Sequence, residues 1–413
     1  MNLSFIIWNS SPEIFSFGMF ALRWYGLLFA LGFLVSQQIL YYMHKKEGKP
    51  EHQVDTLTIL MVVATILGAR LGHVIFYQPE LLWQQPMSVL LPFEFRQEFS
   101  FSNIWPWLKS IRFTGLMGLA SHGGAIGILF ALWLYSKYQF SFRKADVALE
   151  GNDGSIKKKG KLGLFFTPSI HGQSYLHILD RIVILVAITG AFIRLGNYFN
   201  SEIIGKPTDA PWGVVFSSQL SEQLNNKSLE RNPIETFSIS KNTAITDTLK
   251  AEGHVPMLLY FFFKSDLTED DLRSYIDTKL KNALNNSSDH FAIDMMAPLQ
   301  YYFIRQDNGG LAVKVPVEGI ARHPAQLYES ISCVFLFLLL FFIWFKHNGN
   351  PPEGRIFGIF LIILWGLRFS YEFLKENQVS FESSLPINMG QILSIPLFIA
   401  GIFILLRSYK KAN

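Results

Sequence analysis

The chain has 413 residues, of which 50% are hydrophobic and 16% are charged, and its formal net charge is +4. This hydrophobic content exceeds that of ordinary soluble proteins and indicates an integral membrane protein, while so small a net charge gives no reason to expect a nucleic-acid partner. The single cysteine, Cys333, lies inside the apolar run "SCVFLFLLLFF", which excludes a disulfide framework and a thiolate metal site.

Seven stretches are long and apolar enough to cross a bilayer, since a helix needs roughly 20 residues to span the hydrocarbon core. The first is too long for a signal-peptide core, and no convincing cleavage site follows it, so we expect it to be retained. The sequence therefore predicts an all-α polytopic membrane protein with seven transmembrane helices. The spans are approximately 15–43, 53–78, 115–138, 176–201, 325–345, 355–374 and 388–408.

Basic segments predict the orientation of these spans. The stretches "HKKEGK", "SKYQFSFRK" with "KKKGK", "FKHNGNPPEGR" and the terminal "RSYKK" all fall on one side if every span crosses. Cytoplasmic loops carry an excess of lysine and arginine, so that side is predicted to be the cytoplasm. The N-terminus is then outside and the C-terminus is inside.

Two hydrophilic insertions interrupt the pattern and define the predicted domains: membrane helices over 1–205, an insertion over 206–321, and membrane helices over 322–413. A shorter insertion, about 145–172, is rich in Gly, Lys and Ser and is predicted to be a flexible cytoplasmic loop. In the longer one, "VPMLLYFFF", "LQYYFIR" and "LAVKVPVEG" predict strands, and "TEDDLRSYIDTKLKNAL" predicts a helix capped by a threonine. These elements predict a small α+β unit on the outer face, which could be a docking or shielding lid without chemistry.

Polar residues within the spans all fall in the half of the membrane predicted to be outer. An intramembrane charge is costly unless it has a partner or faces a wet cavity, so this alignment predicts a polar chamber between the helices that opens toward the outer leaflet. For Arg23 alone, snorkelling to the interface is an equally good explanation. The set comprises Arg23, Tyr25, Arg70, His73, His122, Arg194, Asn197, Glu202, Gln326, Glu329, Arg368, Glu372, Asn388 and Gln391.

The motif "GAFIRLGNYFNSE" predicts an anion pocket. Helical spacing places Gly190, Arg194, Asn197 and Ser201 on one face. A guanidinium offers planar paired donors that suit a phosphodiester. The alternative is an ion pair with Glu202 that closes the helix end.

Other motifs leave two interpretations open. In "ASHGGAIG", His122 could transfer a proton or be a hydrogen-bonded core histidine, and the glycines alone are typical of helix packing. In "RHPAQLYES", Pro324 fits a first helical turn, so that free backbone N–H groups there attract anions. In "WGLRFSYEFLK", Arg368 and Glu372 could simply pair. The arginine of "GARLGH", Arg70, could contact lipid or pair with an acid.

Several catalytic signatures are missing from the sequence, among them G-x-S-x-G, H-E-x-x-H, the P-loop and the dinucleotide fingerprint. The hypothesis that remains is a cavity for an anionic amphiphile, with a histidine for proton transfer and arginines for charge. One alternative is a transporter or flippase, but a transport route should continue to the cytoplasmic side, and the inner halves of the spans carry few charges. The other alternative is a structural scaffold.

The motifs "RWYGL", "GARLGHVIFY", "SHGGAIG", "RLGNYFNSEIIG", "RHPAQLYE", "LRFSYEF" and "MGQILSIP" occur in order and together resemble bacterial prolipoprotein diacylglyceryl transferase. These motifs cover the seven spans and leave out both insertions. The resemblance implies transfer of an sn-1,2-diacylglyceryl group from phosphatidylglycerol to the lipobox cysteine of a prolipoprotein, with release of glycerol phosphate. It also implies a bacterial inner-membrane protein whose active site faces the periplasmic leaflet, and it implies no metal or organic cofactor.

By this resemblance the catalytic residues are His122, as candidate base for the thiol, and Arg194 and Arg368, for the phosphate and the leaving group. Departures from the family pattern are Ser201, Lys206, Leu364 and the sequence "FLKENQ" after Glu372. The substrate-binding residues are predicted to be Arg194, Asn197, Glu202, Gly205, Tyr25, Arg70, Arg322, Gln326, Tyr328, Glu329 and Glu372.

Overall fold

A computed structural model of the chain describes most of the sequence. The described residues are 4–17, 20–84, 93–95, 111–113, 121–150, 156–168, 173–224, 233–244, 251–264, 268–294, 296–305, 311–376 and 387–412. Two compact units are distinguished within the chain. The first comprises Met1–Leu34, Val186–Leu340 and Gly358–Phe403, and the second comprises Val35–Leu185, Phe341–Phe357 and Ile404–Asn413.

Seven long helices are described, which we number α1 to α7. They are α1 Trp24–Lys46, α2 His52–Tyr77, α3 Ser121–Lys137, α4 Tyr175–Phe199, α5 Ala325–Lys346, α6 Arg355–Tyr371 and α7 Met389–Ala412. Among the described residues, six of them (all except α3) are long and apolar enough to cross a membrane. The predicted third span begins in residues 114–120, which lie outside the described part, and α3 has 17 residues. A polytopic helical protein is therefore confirmed, while a seventh span stays a prediction.

The start of the predicted first span was wrong. Residues in that stretch form two short antiparallel strands, β2 Glu13–Phe17 and β3 Phe20–Arg23, and α1 begins only at Trp24. The register places Glu13 opposite Arg23, and the two side chains form an exposed ion pair at 3.3 Å. Arg23 therefore lies on a strand that precedes the helix, where cross-strand charge pairing stabilises it.

The insertion at 206–321 contains the predicted strands. The sheet has β9 Ile234–Lys241, β10 His254–Phe263, β11 Phe291–Ala292, β12 Tyr302–Arg305 and β13 Leu311–Ile320, in the order β11-β13-β10-β9 with β12 also paired to β13, all antiparallel. On β10, Met257, Leu259, Phe261 and Phe263 alternate into the core. This period of two explains why an apolar run too short to span a membrane becomes a strand.

The predicted helix of the insertion is also confirmed, over Glu269–Tyr275, Ile276–Leu280 and Lys281–Asn285. Thr268 caps it, because its hydroxyl accepts from the backbone of Asp271 while the Asp271 side chain accepts from Thr268 in return. Its buried residues are Leu272, Ile276, Leu280 and Leu284. Their spacing of four exceeds the α-helical period of 3.6, and the wider π turn at Ile276–Leu280 fits this spacing.

The shorter insertion was predicted to be a flexible loop, and this prediction was wrong for the described part. Strands β6 Tyr138–Glu150 and β7 Ile156–Pro168 form a continuous antiparallel pair. Its register places Phe140 opposite Phe166 and Phe142 opposite Leu164. Composition alone suggested a loop, but this period-two apolar pattern favours cross-strand pairing.

The end of α4 is held by two further strands in the first unit. Strand β1, Ile6–Trp8, runs parallel to β8, Val214–Phe216. Trp8 packs against Tyr198 at a ring distance of 4.4 Å, and Tyr198 packs in turn on Phe216. These contacts fix the last turn of α4, where the predicted anion pocket begins. The remaining short elements are Leu81–Gln84, Ser218–Leu224, the strands β4 Phe93–Phe95 and β5 Ile111–Phe113, and the turn Glu372–Leu374.

Candidate active site

Arg194 lies five residues before the end of α4, and its partner comes from another helix. Its Nε lies 2.6 Å from Oε2 of Glu329, which stands in the second turn of α5. The predicted alternative, an ion pair between Arg194 and Glu202, is not the pair that the structure has. Only Nε is engaged: within the described residues the two terminal nitrogens of Arg194 make no hydrogen bond, and 22% of its side chain is exposed. The planar pair of donors remains available to an anion.

Lys375 occupies the centre of this region, and the sequence interpretation missed it. Its side chain is only 3% exposed, and its Nζ forms ion pairs with Glu329 and, at 3.4 Å, with Glu372. A buried ammonium is tolerated only when it is paired, and here two carboxylates pair with it. The signal was present in "FLKENQ" after Glu372, because a lysine three residues after a glutamate can meet it on one helical face.

Glu372 is held from three sides. Arg368, one turn earlier on α6, approaches its Oε1 to 3.8 Å, and the Asn388 amide donates to its Oε2 at 3.2 Å. Asn388 also caps α7 from the position just before it: its side chain accepts from the backbone of Gln391, and the Gln391 side chain accepts from the backbone of Asn388. At Gly390 an added Cβ would lie 2.6 Å from the Glu372 carboxyl carbon, so a larger residue there would displace this carboxylate.

The five ionised side chains form one chain of contacts, Arg194–Glu329–Lys375–Glu372–Arg368, which we call the arginine network. Three cations and two anions give it a formal charge of +1. Arg368 is the less engaged arginine: its Nε is buried and has no hydrogen-bond partner among the described residues, and 28% of its side chain is exposed. The network can therefore bind one negative charge through donors that no described residue of the protein uses.

The remaining part of the motif after α4 forms a compact turn. Asn197 and Asn200 both donate to the carboxylate of Glu202, at 3.2 and 3.3 Å. Ser201 and Ile203 have positive φ, which few non-glycine residues adopt. Gln326 of α5 donates to the Glu202 carbonyl. Strain of this kind persists only where the surroundings determine it, and such positions cluster at functional sites.

Tyr25 and Tyr328 lie on the borders of the same unit. An added Cβ on Gly196 would lie 3.0 Å from the Tyr25 ring, so this glycine lets the tyrosine reach the backbone of α4. The Tyr328 hydroxyl accepts from Trp212 at 2.7 Å and lies 3.2 Å from His323. Burial lowers the pKa of His323, so this ring is neutral near pH 7.

Arg322 and Gly205 fasten the base of the longer insertion. The Arg322 guanidinium donates to the carbonyls of Asp289 and Gly205 and to the carboxylate of Glu376. An added Cβ on Gly205 would lie 2.5 Å from the His323 carbonyl, so the backbones meet closely there. Protein groups occupy the donors of Arg322 to a greater extent than those of Arg194. Its predicted contact with substrate stays a prediction.

The other predicted residues belong to the second unit. His122 lies in the first turn of α3 and is exposed, while Arg70 lies on α2 and is half-buried. The glycines of their motifs pack α2 against α3: an added Cβ on Gly68 would lie 2.5 Å from the Gly123 carbonyl, and one on Gly123 would lie 2.6 Å from the Gly72 Cα. The packing interpretation of these glycines is thus confirmed. Within the described ranges, no three histidine, cysteine or acidic side chains come together as a metal site.

Comparison with known proteins gives one consistent result. The family model described as prolipoprotein diacylglyceryl transferase matches residues 12–150 and 160–407. The resemblance read from motifs left out both insertions, and this limit was too narrow, because the match includes all of 206–321.

Three relatives, each named phosphatidylglycerol–prolipoprotein diacylglyceryl transferase, align over almost their whole length. The Tolumonas auensis protein is 28% identical over 98% of this chain and 98% of its own. A Bacteroides fragilis protein is 28% identical over 99% of this chain and 97% of its own. The Chloroherpeton thalassium protein is 26% identical over 99% of this chain and 97% of its own.

Proposed function

Because the chain belongs to the prolipoprotein diacylglyceryl transferase family, we propose that it transfers the sn-1,2-diacylglyceryl group of phosphatidylglycerol to the lipobox cysteine of prolipoproteins. The relatives carry the name of this transferase, which supports transfer and gives no support to the transporter or flippase alternative. The protein is a bacterial membrane transferase of lipoprotein biosynthesis.

The observation that carries the proposal is the arginine network. A phosphodiester has one negative charge, and the network has a formal charge of +1 with guanidinium donors that the described residues leave unused. Arg194 and Arg368 come from the ends of α4 and α6 and meet carboxylates at the beginning of α5 and just after α6. Donors that are already oriented in a low-dielectric site stabilise a developing charge without reorganisation.

The reaction assigns a step to these groups. The cysteine thiolate attacks C3 of the diacylglyceryl group, the C–S bond forms, and the C3–O bond to phosphate breaks. The electron pair goes to the phosphate oxygen, and glycerol phosphate leaves. Arg194 and Arg368 neutralise the charge that grows on this leaving group. The residues proposed to shape the phosphatidylglycerol site are Glu329, Glu372, Asn197, Glu202, Gly205, Gln326, Tyr25 and Tyr328. The family resemblance supports Arg322 and Arg70 as further substrate-binding residues.

His122 is proposed as the base that takes the thiol proton, and its sequence motif supports this role. An imidazole has an ordinary pKa close to neutral and suits proton transfer at physiological pH. A His122→Gln variant is expected to lose turnover and to lose the rise of the rate with pH that the histidine produces. Full turnover of that variant across pH 6 to 9 would exclude the role.

The placement of the protein in the membrane is proposed on the same grounds. Basic loops support seven spans with the N-terminus in the periplasm and the C-terminus in the cytoplasm. The site then faces the periplasmic leaflet of the inner membrane, where an exported acceptor arrives. The division into 1–205, 206–321 and 322–413, with the middle part periplasmic, completes this proposal.

Mass spectrometry of a lipobox peptide tests the function. The purified full-length protein is incubated in detergent with phosphatidylglycerol and the peptide, and a peptide with serine in place of the cysteine serves as control. The expected product is a diacylglyceryl thioether on the cysteine peptide only, together with glycerol phosphate. An unchanged cysteine peptide under conditions in which the protein stays folded would overturn the proposal.

A further inference from the structure

Lys375 is the member of the arginine network to which the proposed reaction gives no role. Of the five side chains in the arginine network it is the most buried, at 3% exposure, whereas Arg194 and Arg368 keep 22% and 28% of their side chains exposed. A ligand can therefore reach the two arginines more readily than it can reach the lysine. Any effect of Lys375 on a ligand therefore passes through its neighbours.

The backbone holds Lys375 in place independently of its side chain. Lys375 forms a β-bridge with Gly205, and the Lys206 N–H donates to the Leu374 carbonyl at 2.8 Å. The next residue, Glu376, pairs with Arg322 at 2.7 Å. The ammonium is thus presented to Glu329 and Glu372 from a fixed position, and ordering it on substrate binding costs little entropy.

The charges of the network show what the lysine contributes. With Lys375 the formal charge of the network is +1, and each carboxylate pairs with the lysine and with one arginine. Without Lys375 the sum is zero, and each carboxylate has only its arginine to neutralise it. The arginines would then pair more closely with Glu329 and Glu372, and fewer donors would remain for an anion.

We propose that Lys375 is a positioning residue of the phosphate site, which holds Glu329 and Glu372 and so keeps the terminal donors of Arg194 and Arg368 available to the phosphodiester of the lipid. The inference rests on the proposed function and deepens it. A lysine suits this place because its ammonium can pair with two carboxylates at once.

The test measures initial rates of peptide modification against phosphatidylglycerol concentration and, separately, against peptide concentration. The variants are Lys375→Met, which removes the charge, Lys375→Arg, which keeps it, and the double variant Lys375→Met with Glu372→Gln, which restores the formal sum to +1. Lys279→Met is the matched control, since this lysine is exposed on the helix of the insertion.

Lys375→Met is expected to raise the KM for phosphatidylglycerol by about tenfold or more, the equivalent of one charge-assisted interaction. Its KM for the peptide should change little. Lys375→Arg should stay within about threefold of the wild type, and the double variant should recover part of the lipid affinity that the single variant loses. Lys279→Met should behave as the wild type.

Three results would overturn the inference: an unchanged lipid KM in Lys375→Met, an equal loss in Lys375→Arg, or an equal rise of both KM values. If Lys375→Met does not accumulate as folded protein, Lys375→Gln, which keeps an amide donor, is measured against the same criteria. Absence of transfer by the wild type would instead contradict the proposed function, so the two failures are distinguishable.

Discussion

Two ionic networks in this protein use the same residue types and differ in what they leave unused. The second unit contains the Glu47 cluster, formed by Glu47, Arg181, Lys49 and Trp344. Glu47 accepts from Arg181 at 3.1 Å, from Lys49 at 2.6 Å and from the Trp344 indole at 2.7 Å. Arg181 also donates to the carbonyls of Gly349 and His177. Its side chain is 5% exposed, and all three of its guanidinium nitrogens are engaged.

The arginine network of the first unit has the opposite character. Arg194 uses one nitrogen, and Arg368 has a buried Nε without a hydrogen-bond partner in the described part of the chain. A fully satisfied buried arginine cross-links helix ends, while an arginine with unused donors can bind a ligand. The count of unused donors, rather than the presence of an arginine in a membrane helix, separates the structural network from the candidate site.

Arg194→Ala should produce the largest effect, because it removes one of the two arginines of the arginine network. We expect the rate of diacylglyceryl transfer to fall roughly 10²–10³-fold, because one donor to the leaving group is removed. Folding should change little, since Glu329 keeps its pair with Lys375. The measurement is the rate of peptide modification beside the thermal unfolding midpoint. Arg23→Ala, which removes an exposed arginine, is the control.

Glu47→Gln tests the structural role of the Glu47 cluster. Burial opposes ionisation of Glu47, but the Arg181 charge and the hydrogen bonds from Lys49 and Trp344 hold the pKa of its carboxyl below the usual value. Neutralising it removes the carboxylate that pairs with the buried Arg181, and the free energy of unfolding should fall by about 3 kcal/mol. The melting midpoint in detergent measures this change. Glu51→Gln, at an exposed position, should not shift it, and a loss of specific activity without loss of stability would contradict the assignment.

His290 extends the comparison to the insertion, where two of the three guanidinium nitrogens of Arg322 donate to protein groups. Burial and the nearby Arg322 charge lower the pKa of His290 to about 4 from an ordinary 6.5. Between these two pKa values, His290 is therefore protonated in the unfolded chain and neutral in the folded chain. The contribution of His290 to the free energy of unfolding is complete above pH 6.5. It declines as the pH falls toward 4, and about 2 kcal/mol of it is lost at pH 5.

The check is chemical denaturation of the full-length protein at pH 7.5 and pH 5. His290→Gln removes the titrating group, so its loss of stability between the two pH values should be smaller than that of the wild type. Equal losses in both proteins would show that another group is responsible.

Gly390→Ala should have the smallest effect and tests the position of Glu372 within the arginine network. The added Cβ would lie 2.6 Å from the Glu372 carboxyl carbon, so this side chain has to move away from Arg368 and Asn388. The shifted carboxylate loses part of its contact with these two residues, and we expect a loss of roughly tenfold in rate, below the roughly 10²-fold that a 1 Å misplacement can cost. Gly366→Ala is the matched control, because its Cβ would make an ordinary 3.5 Å contact with Phe398. Equal rates for both variants would mean that the position of Glu372 does not matter.

Much of this protein could be predicted from its sequence. The apolar runs, each about 20 residues long, predict membrane helices because hydrocarbon admits no unpaired backbone polar groups. Strands β10 and β13 and the capped helix at Glu269–Asn285 followed from local periodicity, and the ordered motifs were sufficient to identify the family. These features depend on neighbours in the chain, so local sequence contains their cause.

Pairing between distant residues was decided by the tertiary structure alone. Glu329 rather than Glu202 pairs with Arg194, Lys375 lies between two acids, and Phe140 and Phe142 lie opposite β7 rather than in a loop. A charge in an apolar surrounding takes whichever opposite charge the helix packing brings within about 4 Å, and sequence spacing does not encode that choice. Composition and periodicity determined which segments fold, while packing decided which charges satisfy each other and which are left to bind a substrate.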